Sequence, residues 1–466
     1  MPQQIGNLFD SFDLYGDWWL GNEDSERRSR GILSFIGQER IELTLENDFP
    51  TAPSLASSNF VPEVIYGFSP DGERYTLLRT MKISEQVYGM GNVRAVYKVR
   101  VLIIGAHSLS FSDPQIVSVR FRFPGLEQST ALKWFKVDFS NLNDVAHHWV
   151  KPTEFEVWVP SLKSHVSTYF TFDRLGDLEV TNGQEHKAFL QLKPLKLMSL
   201  NVLWGKIFQL QRLLILLHGL PSPTSEMQME LCDGETVQLF FPQGKSGVRR
   251  TYDRSELSVS LFSLTRRERE ALFQNWFEAR QPVQDAAELF CGTVHQLGIF
   301  TTLEFVNHIQ TLEAFHRAVF RSGGVYVTKG AYIPVRDALI RAIPNTVGSA
   351  HRSKLVSAIS YGYEKSQAKR IEELIFSLPK SFRQMWAVNE KVFVRKLVDT
   401  RNRYTHYAEG DQARILTVFE MAVCNLGLRV LIQFLFLRYL GIKDKQFMFH
   451  LQRNENWRKY RNTKTW

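Results

Sequence analysis

Apolar and polar residues follow two different patterns on either side of about residue 265. Before it, short runs rich in Val, Ile, Phe and Tyr are separated by Gly, Pro, Asn and Asp, and several alternate with polar residues. Alternation of this kind is typical of strands with one buried face, so we predict an antiparallel β sandwich or barrel-like domain. The predicted strands are 32–45, 75–83, 96–104, 116–123, 132–137, 154–159, 236–241 and 257–261. A long helix is predicted over residues 195–217, ended by Gly219 and Pro221.

After residue 265 the apolar positions recur with helical spacing. The predicted helices are 266–281, 283–296, 302–321, 332–342, 349–363, 367–378, 381–407, 413–440 and 443–460. Pro and Gly mark the breaks between them, with Gly410 closing the helix that ends at residue 407. The expected fold class is therefore α+β multidomain. A β-rich domain spans residues 1–265, and an all-α helical bundle spans residues 266–466.

The charge is distributed unevenly between these two parts. The chain has 466 residues and a net charge of +9, with residues 1–265 contributing −4 and residues 266–466 contributing +13. A basic helical half suits a polyanionic partner such as RNA. The alternative is a solvated basic surface with no specific partner.

Cysteine usage and hydropathy bear on the compartment. Cys232, Cys291 and Cys424 are odd in number, far apart and outside any CxxC pattern, so neither a disulfide framework nor a zinc site is expected. The first residues lack the features of a signal peptide. The most apolar stretch, residues 415–440, is interrupted by charged side chains and fits a buried helix better than a membrane span. We therefore predict a cytoplasmic protein without membrane attachment.

The concentrated chemistry lies in residues 398–407, which read VDTRNRYTHY. Arg401 offers forked donors that match phosphate oxygens, and His406 is suited to move a proton at neutral pH. Asn402 can hold either one in orientation. At about 100° per residue, Asn402 and His406 lie roughly 40° apart, but Arg401 lies about 140° from His406. A twofold symmetric partner would close that gap. The alternative is a coincidental spacing, in which Asp399 pairs with the residue one turn further on.

The spacing Arg-x4-His after a long helix resembles the signature of the HEPN superfamily, whose small helical domains include many metal-independent ribonucleases. Residues 305–317 resemble the early helix of the ApeA-type branch, which are bacterial anti-phage proteins. Residues 14–33 resemble the β-rich N-terminal domain of those proteins. The resemblance implies an endoribonuclease of abortive-infection defence with Arg401, Asn402 and His406 as catalytic residues. It implies no metal and no cofactor, and a 2′,3′-cyclic phosphate product.

The partners expected on this interpretation are RNA, with tRNA and mRNA as candidates, and a second copy of the chain. The assembly would be a homodimer or an even-numbered oligomer formed through the helical half. The N-terminal domain would bind a phage-derived trigger. Two alternatives remain open: a non-catalytic HEPN-like module that binds RNA or protein, and a β-sandwich recognition protein whose helical half only dimerises.

Three further side chains are candidate accessory residues: Glu313, His316 and Arg403. Glu313 and His316 lie three apart on one predicted helix face, where they either reach the active groove or form a buried Glu–His hydrogen bond. The segment 457–464 mixes cations with aromatic rings. It is either an RNA-stacking surface or a solvated helix end.

Overall fold

The computed structural model describes residues 7–21, 27–55, 60–88, 92–107, 111–113, 115–129, 135–138, 146–149, 153–175, 183–244, 252–296, 298–320, 324–406 and 414–464. Gly410, the predicted helix stop, lies outside the described residues. The chain forms two compact units, Met1–Phe277 and Glu278–Trp466. The predicted α+β multidomain fold, with an antiparallel β-rich part followed by a helical part, is confirmed.

The first unit is built on one large antiparallel sheet. The strands of this unit are β1 (Ser11–Leu20), β2 (Ser29–Ile36), β3 (Arg40–Leu45), β4 (Val64–Phe68), β5 (Arg74–Leu78), β6 (Met81–Tyr88), β7 (Asn92–Val99), β8 (Val101–Ile104), β9 (Ile116–Arg122), β10 (Phe135–Asp138), β11 (Ala146–Trp149), β12 (Glu156–Val159), β13 (Ser164–Leu175), β14 (Gly183–Pro194), β15 (Glu226–Leu231) and β16 (Thr236–Phe240). Among the described residues, a 14-stranded sheet has the order β12-β13-β14-β9-β15-β16-β8-β5-β4-β1-β2-β3-β7-β6. Strands β10 and β11 form a separate pair.

Several predicted strands are in fact two strands. Residues 32–45 form β2 and β3, which pair from Gly31↔Leu45 to Ile36↔Arg40 around Gly37. Gly37 has φ +48°. The predicted strand 75–83 likewise divides into β5 and β6, which do not pair with each other, and Arg79 between them has φ 53°. A continuous apolar run gives no sign of the reversal, because a tight hairpin turn is set by the backbone angles of one or two residues.

The hairpin of β13 and β14 was not predicted, although its register runs from Ser164↔Pro194 to Leu175↔Gly183. Its many polar residues hide the alternation that marks a half-buried strand. The strand predicted over residues 257–261 is wrong. That segment lies between two short 3-10 turns, Arg254–Glu256 and Leu261–Ser263, capped by the side chains of Asp253 and Ser260.

Three helices accompany the sheet: α1 (Leu126–Ser129), α2 (Leu200–His218) and α3 (Arg266–Phe277). Helix α2 begins five residues later than predicted, because Ser199 caps it by accepting from the backbone of Val202. Helix α3 packs against β12, and its Trp276 is fully buried with Nε1 donating to the carbonyl oxygen of Gln209 at 3.0 Å. The predicted boundary, between 1–265 and 266–466, lies before α3, whereas the compact units divide after it, so α3 belongs to the first unit. That these two parts are separate functional domains stays a prediction.

The second unit is helical. Its helices are α4 (Gln281–His295), α5 (Thr301–Val319), α6 (Lys329–Arg341), α7 (Ser349–Ser360), α8 (Gln367–Phe376), α9 (Lys380–Trp386), α10 (Glu390–His406), α11 (Val418–Tyr439), α12 (Asp444–Leu451) and α13 (Glu455–Thr463). The predicted helices 381–407 and 443–460 are each two helices. Asn389 and Asn454 cap the second member of each pair through bonds to the backbone of Val392 and Trp457.

Helix α11 is the centre of this unit. It runs beside α5 in the same direction, since Asn425 bonds to the carbonyl oxygen of Thr301 and the ring of Phe436 lies 4.5 Å from that of Phe315. Helix α10 packs against α5 and α8. Helices α2 and α11 are long and apolar enough to cross a membrane by length and composition, yet 56% and 67% of their apolar windows are buried inside the protein. Burial on that scale is typical of helices that form a protein core.

Candidate functional site

Arginine and histidine of the predicted motif meet at the C-terminal end of α10. Nη1 of Arg401 lies 3.2 Å from Nε2 of His406, and it also donates to Oδ1 of Asn402 at 3.1 Å. The guanidinium thus spans the angle that separates the two positions on the helical wheel. A symmetric partner is not needed to bring Arg401 to His406. That argument for a dimer is removed, although the dimer itself stays a prediction.

The contact places a ring nitrogen beside a donor. A guanidinium only donates, so the contact is matched by the tautomer of His406 whose Nε2 accepts. His406 is exposed, whereas Arg401 and Asn402 are half-buried, and Nε of Arg401 is buried without a hydrogen-bond partner in the described part of the chain. An accessible base therefore lies beside a partly buried cation, which is an arrangement suited to a phosphodiester.

The residues just before the motif attach it to α11. Thr400 is fully buried, and its hydroxyl donates to the carbonyl oxygen of Lys396 at 2.7 Å while accepting from the backbone N–H of Leu416 at 2.9 Å. The ammonium of Lys396 lies 3.0 Å from Glu420, which also caps the start of α11 with Thr417. Burial alone would raise the pKa of Glu420, but these hydrogen bonds outweigh it and the pKa is lowered. The motif is thereby held against a second helix.

Sequence reasoning missed Thr400 and Lys396 as supporting residues. The one local signal is the Thr-x-x-Glu pattern of residues 417–420, which is typical of a helix N-terminus. It indicates where α11 begins but not that α10 leans against it, because that contact joins residues well separated along the chain.

The predicted accessory residues lie elsewhere in the helical unit. His316 is buried, and its Nε2 lies 2.9 Å from Oε2 of Glu373 on α8. Burial lowers the pKa of His316, and Glu373 offsets this only in part. Glu313 pairs with Arg317 at 3.1 Å and accepts from Gln367 at 2.9 Å.

Within the described ranges, neither Glu313 nor His316 forms a hydrogen bond or ion pair with Arg401, Asn402 or His406. The buried Glu–His hydrogen bond is present, but its carboxylate comes from α8. Arg403, the third accessory candidate, is half-buried on α10 in the turn that carries Asn402.

The aromatic residues of the C-terminal segment belong to the core. Trp457 and Tyr460 are buried, and the ring of Trp457 stacks on that of Phe382 at 5.4 Å. Of the two alternatives left open for this segment, the RNA-stacking surface does not fit, because amphipathic α13 turns its rings inward and its cations outward.

Groups of three or more His, Cys, Asp or Glu that could hold a metal ion are absent from the described ranges. Cys232 is exposed, while Cys291 and Cys424 are buried, and all three are free thiols.

An antiparallel β unit followed by a helical unit with Arg and His at one helix end defines a two-domain protein of the HEPN class. The model of ApeA N-terminal domain 1 matches residues 13–276, and that of the Apea-like HEPN domain matches residues 306–446, which include Arg401 and His406. The chain belongs to the ApeA-type HEPN family, and its two domains are the architecture of those anti-phage proteins. Comparisons with curated proteins and with solved structures found no match.

Proposed function

We propose that the helical unit is a metal-independent endoribonuclease that acts in abortive-infection defence. The observation that supports this most directly is the contact between Nη1 of Arg401 and Nε2 of His406, whose side chain is exposed at the end of α10. Histidine is the side chain that most often acts as a general base. A guanidinium within the same contact is the group best suited to a phosphate.

In the proposed mechanism, a phosphate of the RNA draws the guanidinium of Arg401 away from Nε2 of His406. The freed Nε2 takes the proton of the ribose 2′-hydroxyl, and the 2′-oxygen attacks the adjacent phosphorus. The 5′-oxygen leaves and takes a proton from solvent, giving a 2′,3′-cyclic phosphate and a 5′-hydroxyl. Arg401 stabilises the charge on the phosphorane oxygens, an effect worth about 10²–10³ in rate for one lost donor in comparable sites.

Asn402 acts in this scheme as a positioning residue. Its Oδ1 accepts from the same Nη1 atom that contacts His406. It therefore orients the guanidinium rather than the imidazole, and it continues to do so after phosphate has replaced His406 as the partner of Arg401.

The remaining partners are part of the same proposal. The substrate is RNA in the cytoplasm, with tRNA and mRNA as candidates, and the β-rich unit senses a phage-derived trigger. The enzyme forms a homodimer or an even-numbered oligomer through its helical unit. Support for association comes from four exposed apolar residues, here called the apolar end patch: Phe300 at 80% exposure, Leu303 at 48%, Val418 at 59% and Phe419 at 68%.

The test is incubation of purified protein with total tRNA and mRNA in EDTA, with and without lysate of phage-infected cells. We expect wild type to cleave and His406→Ala and Arg401→Ala to lose at least about 10²-fold in rate. His351→Ala, which removes an exposed histidine of α7, is the matched control and should cleave normally. End-group analysis should show 2′,3′-cyclic phosphate.

Cleavage at the wild-type rate in either motif variant would contradict the assignment. RNA binding without cleavage in every preparation would favour the non-catalytic HEPN-like module instead. Loss of cleavage in EDTA that is restored by magnesium or manganese would place the active site elsewhere.

A further inference from the structure

One face of α10 continues from the motif toward the start of the helix. At about 100° per residue, Lys391, Arg395, Asn402 and His406 fall within roughly 60° of one another around the helix axis. Lys391, Arg395 and His406 are exposed, and the opposite side of the helix buries apolar residues such as Phe393 and Leu397. The four residues therefore form one outward-facing line on a single rigid element.

In the described part of the chain, the two cations of this line, Lys391 and Arg395, form no ion pair and no side-chain hydrogen bond. Their neighbours differ, since Lys396 lies 3.0 Å from Glu420 and Arg383 lies 3.3 Å from Glu390. An unpaired surface cation remains available for a phosphate and loses no existing ion pair when it binds one.

We propose that this face of α10 is the track for the RNA backbone, with Lys391 and Arg395 holding phosphates several nucleotides from the cleaved bond. The proposal rests on the ribonuclease function proposed above and adds where the substrate lies. At a rise of about 1.5 Å per residue, Arg395 is roughly 16 Å and Lys391 roughly 22 Å along the helix from His406.

The spacing sets a length requirement for the substrate. A strand stacked at about 3.4 Å per nucleotide reaches Arg395 after about five nucleotides and Lys391 after six or seven. On this proposal, a single strand must extend this far on one side of the cleaved bond to reach both cations. Asp399 borders the track between its two ends, so the cationic contacts form two separate groups.

A competing occupant of the same surface is a protein. Val388 and Val392, exposed at 83% and 63%, border the cationic end of the track. Charge favours RNA, because the line carries two unpaired cations and ends at the candidate catalytic base. The experiment separates the two occupants.

The experiment measures binding of a labelled RNA that carries a 2′-deoxy nucleotide at the cleaved position, at several salt concentrations. We compare wild type with the double variant Lys391→Gln/Arg395→Gln. We expect binding weakened at least about 10-fold, and a salt slope reduced by about 1.4 for two lost phosphate contacts on a single strand. On cleavable RNA, KM should rise while kcat changes less than about twofold.

The matched control is Arg341→Gln/Lys445→Gln, which removes the same charges from exposed positions of α6 and α12. It should bind RNA as wild type does, and Arg395→Lys should retain most of the binding. Substrates shortened from eight to three nucleotides on the track side should bind more weakly to wild type. The double variant should be nearly insensitive to that shortening.

An unchanged salt slope in the double variant would overturn the track, as would an equal loss in the control. If the double variant binds RNA normally but Val388→Glu abolishes defence, the surface serves a protein partner. Binding is measured without cleavage, so failure of the ribonuclease assignment would appear separately as normal, salt-dependent binding with no cleavage by wild type.

Discussion

At the scale of single residues, the contact between Arg401 and His406 is the feature with the most consequence. Nη1 of Arg401 lies against Nε2 of His406, so this nitrogen of the candidate base is already in contact with a donor in the free protein. In the proposed mechanism, a phosphate competes for the arginine before the imidazole accepts a proton. On that proposal, activation of the base is coupled to RNA binding.

A buried histidine predicts how stability depends on pH. His308 on α5 is fully buried, and burial, with the nearby charge of Arg429, lowers its pKa to about 3. The unfolded chain takes up this proton near pH 6.5, well before the folded one. The contribution of His308 to the free energy of unfolding is therefore fully present above that pH and is lost as the pH falls toward 3. At pH 5 the expected loss is roughly 2 kcal/mol.

The measurement compares the melting temperature at pH 7.5 and pH 5 in wild type and His308→Gln. We expect the difference between the two pH values to shrink in the variant, since a titrating group has been removed. His351→Gln, which replaces an exposed histidine, should leave the difference unchanged. An equal pH dependence in wild type and His308→Gln would show that His308 does not titrate in this way.

At the scale of elements, the important relation is between the end of α10 and the start of α11. Thr400 joins them through its buried hydroxyl, and Thr400→Val keeps the shape but leaves the backbone N–H of Leu416 without an acceptor. We expect a loss of about 1–3 kcal/mol in the free energy of unfolding. Cleavage should also fall, because the turn that carries Arg401 loses its support.

Denaturant unfolding and RNA cleavage check this prediction. The control is Thr405→Val, since that hydroxyl only donates to the carbonyl oxygen of Arg401, at 2.9 Å, within the same helix. Thr405→Val should change stability less. A Thr400→Val protein as stable and as active as wild type would mean that the link between the helices does not position the motif.

At the scale of the whole molecule, the open question is association. The apolar end patch lies at the starts of α5 and α11. The bond from Asn425, about two turns into α11, to Thr301 attaches α11 to the start of α5. Phe419→Glu places a charge in that patch and should convert an even-numbered assembly to monomers in sedimentation. Val202→Glu, at an exposed apolar position of α2, is the control and should not change the assembly.

Mixing gives a second readout of the same prediction. His406→Ala chains added to wild type should lower cleavage by more than dilution if chains cooperate in an assembly. A linear decrease, together with an active monomer in sedimentation, would show that each chain works alone.

Several features of this protein follow from the sequence alone, because they depend only on residues close together in the chain. The change from β to helical periodicity near residue 265, the C-cap at Gly219 and the residues of the motif were all readable from the chain. Each depends on neighbours a few residues apart, through side-chain spacing, backbone angles or side-chain chemistry. Arg401 and His406 are predicted as site residues from the sequence alone.

The tertiary structure decided the relations between distant residues. It brought His316 to Glu373, turned Trp457 into the core, and tied Thr400 to Leu416. It also showed that the long side chain of Arg401 reaches His406 although the two positions point in different directions on the helix. Periodicity assigns residues to faces of an element, but it does not say which element lies against a face or where a long side chain ends. Packing fixes both, because only the assembled fold sets which groups are buried and must find partners.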